Sequence, residues 1–163
     1  MEMPTLSNDS QRMRFEDYQI GQVFEFQSLP LSKSDITEFA HEWDPQLIHI
    51  DEAKATAIHG SLIASGYQTL LTAMRPVMAE LMVKTDVIGA AGINRLKWLK
   101  PVRPGDILST KVEVTDKKPS RSKPDRGIVM IDVTTKNQNG ETVMTLEVPA
   151  MMQRRQTTDQ EAI

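Results

Sequence analysis

The central feature of the chain is an apolar stretch at residues 61–81, which reads SLIASGYQTLLTAMRPVMAEL. Its large apolar residues recur at alternating spacings of four and three, which is one face of a long helix. They are Ile63, Tyr67, Leu70, Met74, Val77 and Leu81. A narrower stripe, formed by Leu62, Gly66, Thr69 and Ala73, is rich in small residues and predicts a second backbone close by. The stretch therefore predicts a central helix from residue 61, buried on most sides, with a kink or break at Pro76.

Downstream of this helix the apolar period falls to two, which is the spacing of a half-buried strand. Alternating runs lie at residues 108–114, 129–133 and 144–148, and residues 92–99 predict one further strand. The sequence Asn137-Gln138-Asn139-Gly140 predicts a hairpin turn between the last two runs. About five strands around one long helix make an α+β domain with exposed sheet edges, so pairing with a second copy is expected.

Upstream of the central helix, Ser32 and Asp35 form a capping signal that precedes apolar residues at helical spacing. This pattern predicts a short helix over residues 34–42. It should end before Asp44, because a residue that precedes proline avoids the helical region. Residues 51–56 predict another short turn of helix capped by Asp51, and residues 44–49 are expected to form a loop between the two.

Length and composition indicate one soluble domain. The chain has 163 residues with 39% hydrophobic and 25% charged residues, and we expect a domain at 14–153 between polar tails at 1–13 and 154–163. A net charge of -3 without a basic run argues against a nucleic-acid partner. The absence of cysteine removes disulfides and thiolate catalysis. Without a signal-peptide pattern or an apolar run near the ~20 residues that span a membrane, we expect a cytoplasmic protein with no membrane partner.

A carboxylate and an imidazole lie five residues apart just before the central helix, at Asp44 and His49. A carboxylate and an imidazole that face the same substrate can together hold a water, take its proton and return a proton to carbon. Gly60 precedes the predicted helix start, where a backbone N–H can stabilise a developing oxyanion. Gln46, His59 and Ser61 flank these groups and are candidate substrate-binding residues. The residues thus predict the addition or removal of water beside a carbonyl.

Residues 43–51, 60–66 and 95–106, in this order, resemble the MaoC-like dehydratases, relatives of the R-specific enoyl-CoA hydratases. The likeness extends over residues 15–153. It implies a hotdog fold, in which a curved antiparallel sheet wraps a long helix, in a homodimer or a multiple of dimers. It also implies that Asp44 and His49 are the catalytic pair, that Gly60 supplies the N–H to the thioester oxygen, and that the substrate is a coenzyme A or carrier-protein thioester of fatty acid metabolism, with no other cofactor.

Two alternative functions remain open on the same fold. A thioesterase would need a carboxylate on the central helix, where the acidic residue, Glu80, lies too far along to face Gly60. A non-catalytic acyl-CoA-binding domain is favoured if Gln46 and Leu47, which replace the family's more usual Asn and Pro, have collapsed the loop. Ser65 lacks a surrounding triad motif and is not expected to be a nucleophile, and three histidines without cysteine or paired spacing predict no metal site.

Overall fold

The computed structural model describes residues 12–155 and contains six strands and four α-helices within that range. The strands are β1 (Val23–Gln27), β2 (Val87–Ala90), β3 (Asn94–Trp98), β4 (Ser109–Pro119), β5 (Arg126–Lys136) and β6 (Thr142–Gln153). The helices are α1 (Lys33–Trp43), α2 (Leu47–Ile50), α3 (Glu52–His59) and α4 (Gly66–Glu80), with 3-10 turns at Phe15–Asp17 and Met82–Lys84. None of the helices in residues 12–155 has the length and apolarity needed to cross a bilayer.

The strands form one antiparallel sheet in the order β1-β4-β5-β6-β2, and β3 pairs with another part of β6. The four predicted strand regions are confirmed as β3 to β6, whereas β1 and β2 are additional. The predicted hairpin turn joins β5 to β6, with Gly140 at φ +75° where a side chain would be strained. Alternate residues of β5, Val129, Ile131 and Val133, are buried in the same hydrophobic core as Ala73 and Val77 of α4.

The central helix begins at Gly66, so the predicted start at residue 61 is wrong. Residues 61–65 are instead a non-helical segment, in which the Ala64 N–H donates to the Val102 carbonyl at 2.8 Å. Ser65 then caps α4 by accepting from the Tyr67 N–H. A buried extended segment is as apolar as a buried helix, which explains why the apolar period continues upstream of the real helix start.

One face of α4 packs on the sheet and the opposite face remains exposed. The buried residues of the helix are Gln68, Thr69, Ala73 and Val77, and two of these, Thr69 and Ala73, belong to the small-residue stripe. Tyr67 and Leu71 are 61% and 60% exposed, so the expectation of burial on most sides is wrong for the single chain. Pro76 lies inside α4 without ending it, because the helix continues to Glu80.

The two short helices before α4 are capped as predicted. Ser32 and Asp35 form the reciprocal capping box of α1, and the Asp51 carboxylate accepts from the Lys54 N–H at the start of α3. The segment expected to be a loop contains one helical turn, α2, which carries His49. The turn begins after Pro45, and the Asp51 N–H closes it by donating a hydrogen bond to the Leu47 carbonyl.

The predicted tails lie mostly outside the described residues. Where they are described, they contact the domain: Met13 forms a bridge with Thr85, and Arg155 pairs with Asp17. The folded unit therefore extends beyond the predicted limits of 14 and 153.

Candidate active site

Asp44 and His49 come together at the end of α1. Asp44 follows the last residue of α1, and the single turn of α2 brings His49 back towards it. The Asp44 Oδ2 and His49 Nε2 atoms are 3.5 Å apart, and the two side chains are only 12% and 6% exposed. Two titratable groups in a shielded site interact more strongly than the same groups in water. The structure thus brings these two predicted residues together, and their catalytic role stays a prediction.

The His49 ring has one nitrogen held by the backbone and one facing the carboxylate. Its Nδ1 lies 2.8 Å from the Ile63 carbonyl oxygen. Because a carbonyl can only accept a hydrogen bond, Nδ1 carries the proton and Nε2 of the neutral ring is an acceptor. The free acceptor lone pair of Nε2 therefore lies beside Asp44, where the two groups can share the protons of one water molecule.

The Asp44 carboxylate is held by two donors. Ser65 Oγ donates to Oδ2 at 2.6 Å, and Gln46 Nε2 donates to Oδ1 at 2.7 Å. The two hydrogen bonds hold the pKa of Asp44 below its ordinary value of 3.8, and the bond from Ser65 makes the larger contribution. The carboxylate is therefore ionised at neutral pH and is oriented by both side chains. Gln46 therefore contacts the Asp44 carboxylate, and its predicted role in substrate binding stays a prediction.

The N-terminus of α4 faces the same site. Gly66 is the first residue of the helix, and no hydrogen-bond partner for its N–H is found within residues 12–155. Gly66 and His49 both line a pocket of about 280 Å³, together with Thr69, Trp98, Leu99 and Val102. A first-turn N–H at the positive end of a helix dipole is suited to an oxyanion. The arrangement places such a donor beside the Asp44 and His49 pair.

Gly66 also has a packing role. A Cβ at this position would lie 2.7 Å from Cε2 of the Trp98 indole, which is closer than real Cβ contacts. Trp98 in turn meets Tyr67 edge to face, with ring centroids 6.0 Å apart. The absence of a side chain at residue 66 therefore allows the indole to pack directly against the backbone of Gly66.

The structure contradicts the predicted place of Gly60. Gly60 ends α3 at φ +80°, and its N–H donates to the Thr56 carbonyl at 2.9 Å. That N–H is used inside α3 and is not available to a substrate oxygen. The reason is that the glycine is required for a left-handed helix C-cap and not for the start of the central helix.

The remaining two predicted residues lie outside the hydrogen-bonded group around Asp44. His59 is the last residue of α3 and forms no hydrogen bond to Asp44 or His49 in the described structure. Ser61 Oγ donates to the Leu62 carbonyl and accepts from the Arg103 guanidinium. The sequence analysis missed Ser65 and Gly66. The signal that identifies them is a serine N-cap directly before a glycine at the true helix start.

No group of three or more histidine, aspartate or glutamate side chains in residues 12–155 is arranged to hold a metal ion.

The MaoC-like domain model matches residues 15–137. The chain belongs to the MaoC-like domain family. It is 39% identical over 143 residues to the uncharacterized protein YdeM of Bacillus subtilis (strain 168), covering 87% of this chain and all of that protein. It also resembles the crystal structure of a MaoC-like dehydratase from Rhodospirillum rubrum, with 35% identity, a TM-score of 0.80, and coverage of 88% of this chain and 99% of that one.

A third comparison bears on the fold alone. Rv0216 from Mycobacterium tuberculosis, described as a double hotdog fold, matches with a TM-score of 0.74 and 18% identity, over 96% of this chain and 48% of that one. The predicted hotdog class is therefore confirmed, and the MaoC-like chain has the central helix and antiparallel sheet of that fold.

Proposed function

We propose that this MaoC-like protein is a hydro-lyase that reversibly hydrates an α,β-unsaturated acyl thioester to the 3-hydroxyacyl thioester. The observation that carries the proposal is the approach of Asp44 Oδ2 to His49 Nε2, 3.5 Å apart and shielded from solvent. The dehydratase relative from Rhodospirillum rubrum supports the same class of reaction. The thiol of this thioester is coenzyme A or a carrier protein, since both present the same reacting group.

In the hydration direction, the pair binds one water through its two acceptor atoms. As the water oxygen bonds to the β-carbon, the pair takes one water proton, and a proton is delivered from the pair to the α-carbon. The carbon–carbon double bond becomes a single bond, and negative charge builds transiently on the thioester oxygen. The Gly66 N–H, in place of the predicted Gly60, stabilises that charge, an effect worth about 3 to 4 kcal/mol for one such donor.

The orientation of the pair follows from its hydrogen bonds. The Ile63 carbonyl fixes the ring of His49, and Ser65 and Gln46 fix the carboxylate of Asp44. These contacts hold both acceptors towards one point without requiring reorganisation during the reaction.

A crotonyl thioester distinguishes hydration from the thioesterase alternative. Hydration removes the enoyl absorbance without releasing a thiol, whereas hydrolysis releases a thiol that a disulfide reagent detects. We expect hydration without release of a thiol. A thioesterase on this fold would need a carboxylate on the central helix close to the thioester. The acidic residue of α4, Glu80, lies 14 residues from Gly66, which is about 20 Å along the helix. If no substrate in a panel of chain lengths lost its enoyl absorbance or released a thiol, a non-catalytic acyl-binding domain would be favoured. That result would contradict the proposal.

We further propose that the protein works as a homodimer or a multiple of dimers. Tyr67, Leu71 and Trp98 form an exposed apolar surface beside the 280 Å³ pocket, and β3 pairs only with β6 among the described strands. An unpaired edge next to exposed apolar residues is a typical subunit contact. Sedimentation should give about twice 18.3 kDa or a multiple of that mass, and a stable monomer at micromolar concentration would contradict the proposal.

A further inference from the structure

A tight turn of sequence Arg-Pro-Gly-Asp, at residues 103–106, lies beside the segment that precedes α4. The Asp106 N–H donates to the Arg103 carbonyl at 3.0 Å and closes the turn. The Asp106 carboxylate, only 7% exposed, accepts from the Arg103 N–H at 2.9 Å and from Gln138 Nε2 at 2.8 Å. One aspartate therefore holds both polar groups of the Arg103 backbone and fixes where the arginine side chain begins.

The guanidinium of Arg103 is paired differently from the other partly buried arginines of residues 12–155. Each of the others forms an ion pair with a carboxylate; they are Arg12, Arg14, Arg126 and Arg154. Arg103 forms no ion pair with the described residues, and its guanidinium donates to the Ser61 hydroxyl. A hydrogen bond from a charged donor is stronger than one from a neutral donor. The contact therefore restrains Ser61 more than a neutral donor would.

Ser61 begins the non-helical segment that carries the groups which orient the catalytic pair. The Ile63 carbonyl accepts from His49 Nδ1 at 2.8 Å, and Ser65 Oγ donates to Asp44 Oδ2 at 2.6 Å. The segment starts directly after the C-cap of α3 and ends at the start of α4. Because it lacks the internal hydrogen bonds of a helix, its position depends on contacts with other parts of the chain.

Few backbone contacts hold this segment in the described part of the chain. The Ala64 N–H donates to the Val102 carbonyl at 2.8 Å, and the Ile63 N–H makes a long contact of 3.5 Å with the Ile48 carbonyl. Both contacts lie in the downstream half of the segment, so the bond from Arg103 is what holds the upstream end. Ala64 and Val102 also line the pocket of the proposed active site. The turn that carries Arg103 is thus joined to the wall of that pocket.

We propose that Arg103 is a positioning residue for the hydration reaction: through Ser61 it clamps the segment whose Ile63 carbonyl orients His49. Arg103 itself touches neither the water nor the thioester. Without the clamp, the carbonyl shifts relative to Nδ1 and the imidazole loses its fixed orientation. A misplacement of about 1 Å can cost up to about 100-fold in rate. This inference rests on the proposed hydration activity and adds a residue that supports it from outside the site.

The kinetic test measures hydration of a crotonyl thioester by Arg103→Met and Ser61→Ala. Each variant removes one side of the contact and should lower kcat by about 10-fold with little change in KM, because orientation and not binding is lost. The double variant should be no slower than the slower single variant, since both changes remove the same contact. Ser61→Thr keeps the hydroxyl and should keep most of the wild-type kcat. Arg126→Met is the matched control, because it removes another partly buried arginine, and its kcat should be that of the wild type.

A second measurement, independent of turnover, is the tautomer of His49. Nitrogen NMR of the ring under basic conditions, where imidazoles are neutral, shows which nitrogen carries the proton. In the wild type and Arg126→Met the proton should lie on Nδ1, since the Ile63 carbonyl accepts from it. In Arg103→Met and Ser61→Ala a fraction of the molecules should carry the proton on Nε2. A substitution that only lowered stability would leave the tautomer of the folded protein unchanged.

The outcomes separate this inference from the proposed function. If the wild type hydrates the substrate and folded Arg103→Met keeps both its kcat and its tautomer, the inference is overturned and the proposed function stands. A rise in KM without a fall in kcat would show that Arg103 contacts the substrate directly, and additive losses in the double variant would show that the two residues act separately; either overturns it. If Arg103→Met does not fold, Ser61→Ala decides by the same criteria, because it keeps the arginine. Absence of hydration by the wild type contradicts the proposed function, and the inference is lost with it.

Discussion

Replacing Ser65 by alanine tests how the site holds its carboxylate. The Ser65 hydroxyl makes two contacts: it donates to Asp44 Oδ2 at 2.6 Å and accepts from the Tyr67 N–H at 3.2 Å. The first contact orients a charged group of the proposed catalytic pair, and the second caps the central helix. Ser65→Ala removes both and leaves His49 and its bond to Ile63 in place.

The size of each effect follows from the type of hydrogen bond. Loss of an N-cap costs about 1 kcal/mol of the free energy of unfolding. Loss of a hydrogen bond to a charged group costs about 1.5 to 3 kcal/mol, and the carboxylate then also gains rotational freedom. We expect hydration by Ser65→Ala to fall about 10-fold or more at neutral pH, since 1.4 kcal/mol corresponds to a factor of ten.

The same substitution changes the pH dependence in a defined direction. The Ser65 hydrogen bond is the largest cause that lowers the pKa of Asp44, so its removal raises that pKa. If the ionised carboxylate is the active form, the acid limb of the kcat profile moves to higher pH in Ser65→Ala. Because the pKa of Asp44 is lower in the folded than in the unfolded protein, its carboxylate stabilises the fold at pH values above the unfolded pKa. This contribution is lost as the pH falls through the folded pKa. The difference in unfolding free energy between the two proteins should therefore shrink in acid.

Ser32→Ala is the matched control, because Ser32 is also a serine N-cap, at the start of α1. It should lose a similar free energy of unfolding in urea titrations while its kcat and acid limb remain those of the wild type. If Ser65→Ala showed the same unchanged kinetics as Ser32→Ala, Ser65 would be a helix cap only, and the reasoning about Asp44 would be refuted.

Three further substitutions test neighbouring positions. Gly60→Val should lower the free energy of unfolding by roughly 1 to 2 kcal/mol, because of the left-handed backbone at φ +80°, yet retain activity per folded molecule; a folded but inactive variant would contradict this. Gly66→Ala should lower the melting temperature because the added Cβ clashes with Trp98, and adding Trp98→Ala should restore much of that loss. A double variant that melted no higher than Gly66→Ala would show that the clash is not the cause. Gln46→Leu removes a donor to Asp44 Oδ1 and should move the acid limb to higher pH; an unmoved limb in a pH profile would show that this exposed contact is dispensable.

The approach of Asp44 to His49 could be predicted from sequence because it depends on local chain geometry. Asp44 ends α1 at a proline boundary, and five residues are enough for the chain to return His49 to it. The capping box of α1 and the alternation in β4 to β6 are equally local signals and were predicted for the same reason. The preference of a sequence pattern for one backbone geometry is strongest over such short ranges.

The start of the central helix, and with it the glycine that opens the helix, could not be predicted, because they depend on contacts between distant residues. Residues 61–65 are apolar and continue the helical period, but the Ala64 N–H bonds to Val102, 38 residues away. The partner of Ser65 in the site, Asp44, is 21 residues upstream. With the helix start placed five residues too early, the prediction assigned to Gly60 the helix-opening position that Gly66 occupies.

The most direct test of the account is the hydration rate of a crotonyl thioester with Asp44→Asn and His49→Ala beside the wild type. Asn has the shape of Asp without its charge, so the fold should be kept, and circular dichroism and sedimentation serve as controls. We expect each variant to be slower by at least about 100-fold, the scale of losing a general acid or base. Near-wild-type rates in both folded variants would contradict the assignment of Asp44 and His49 as the catalytic pair.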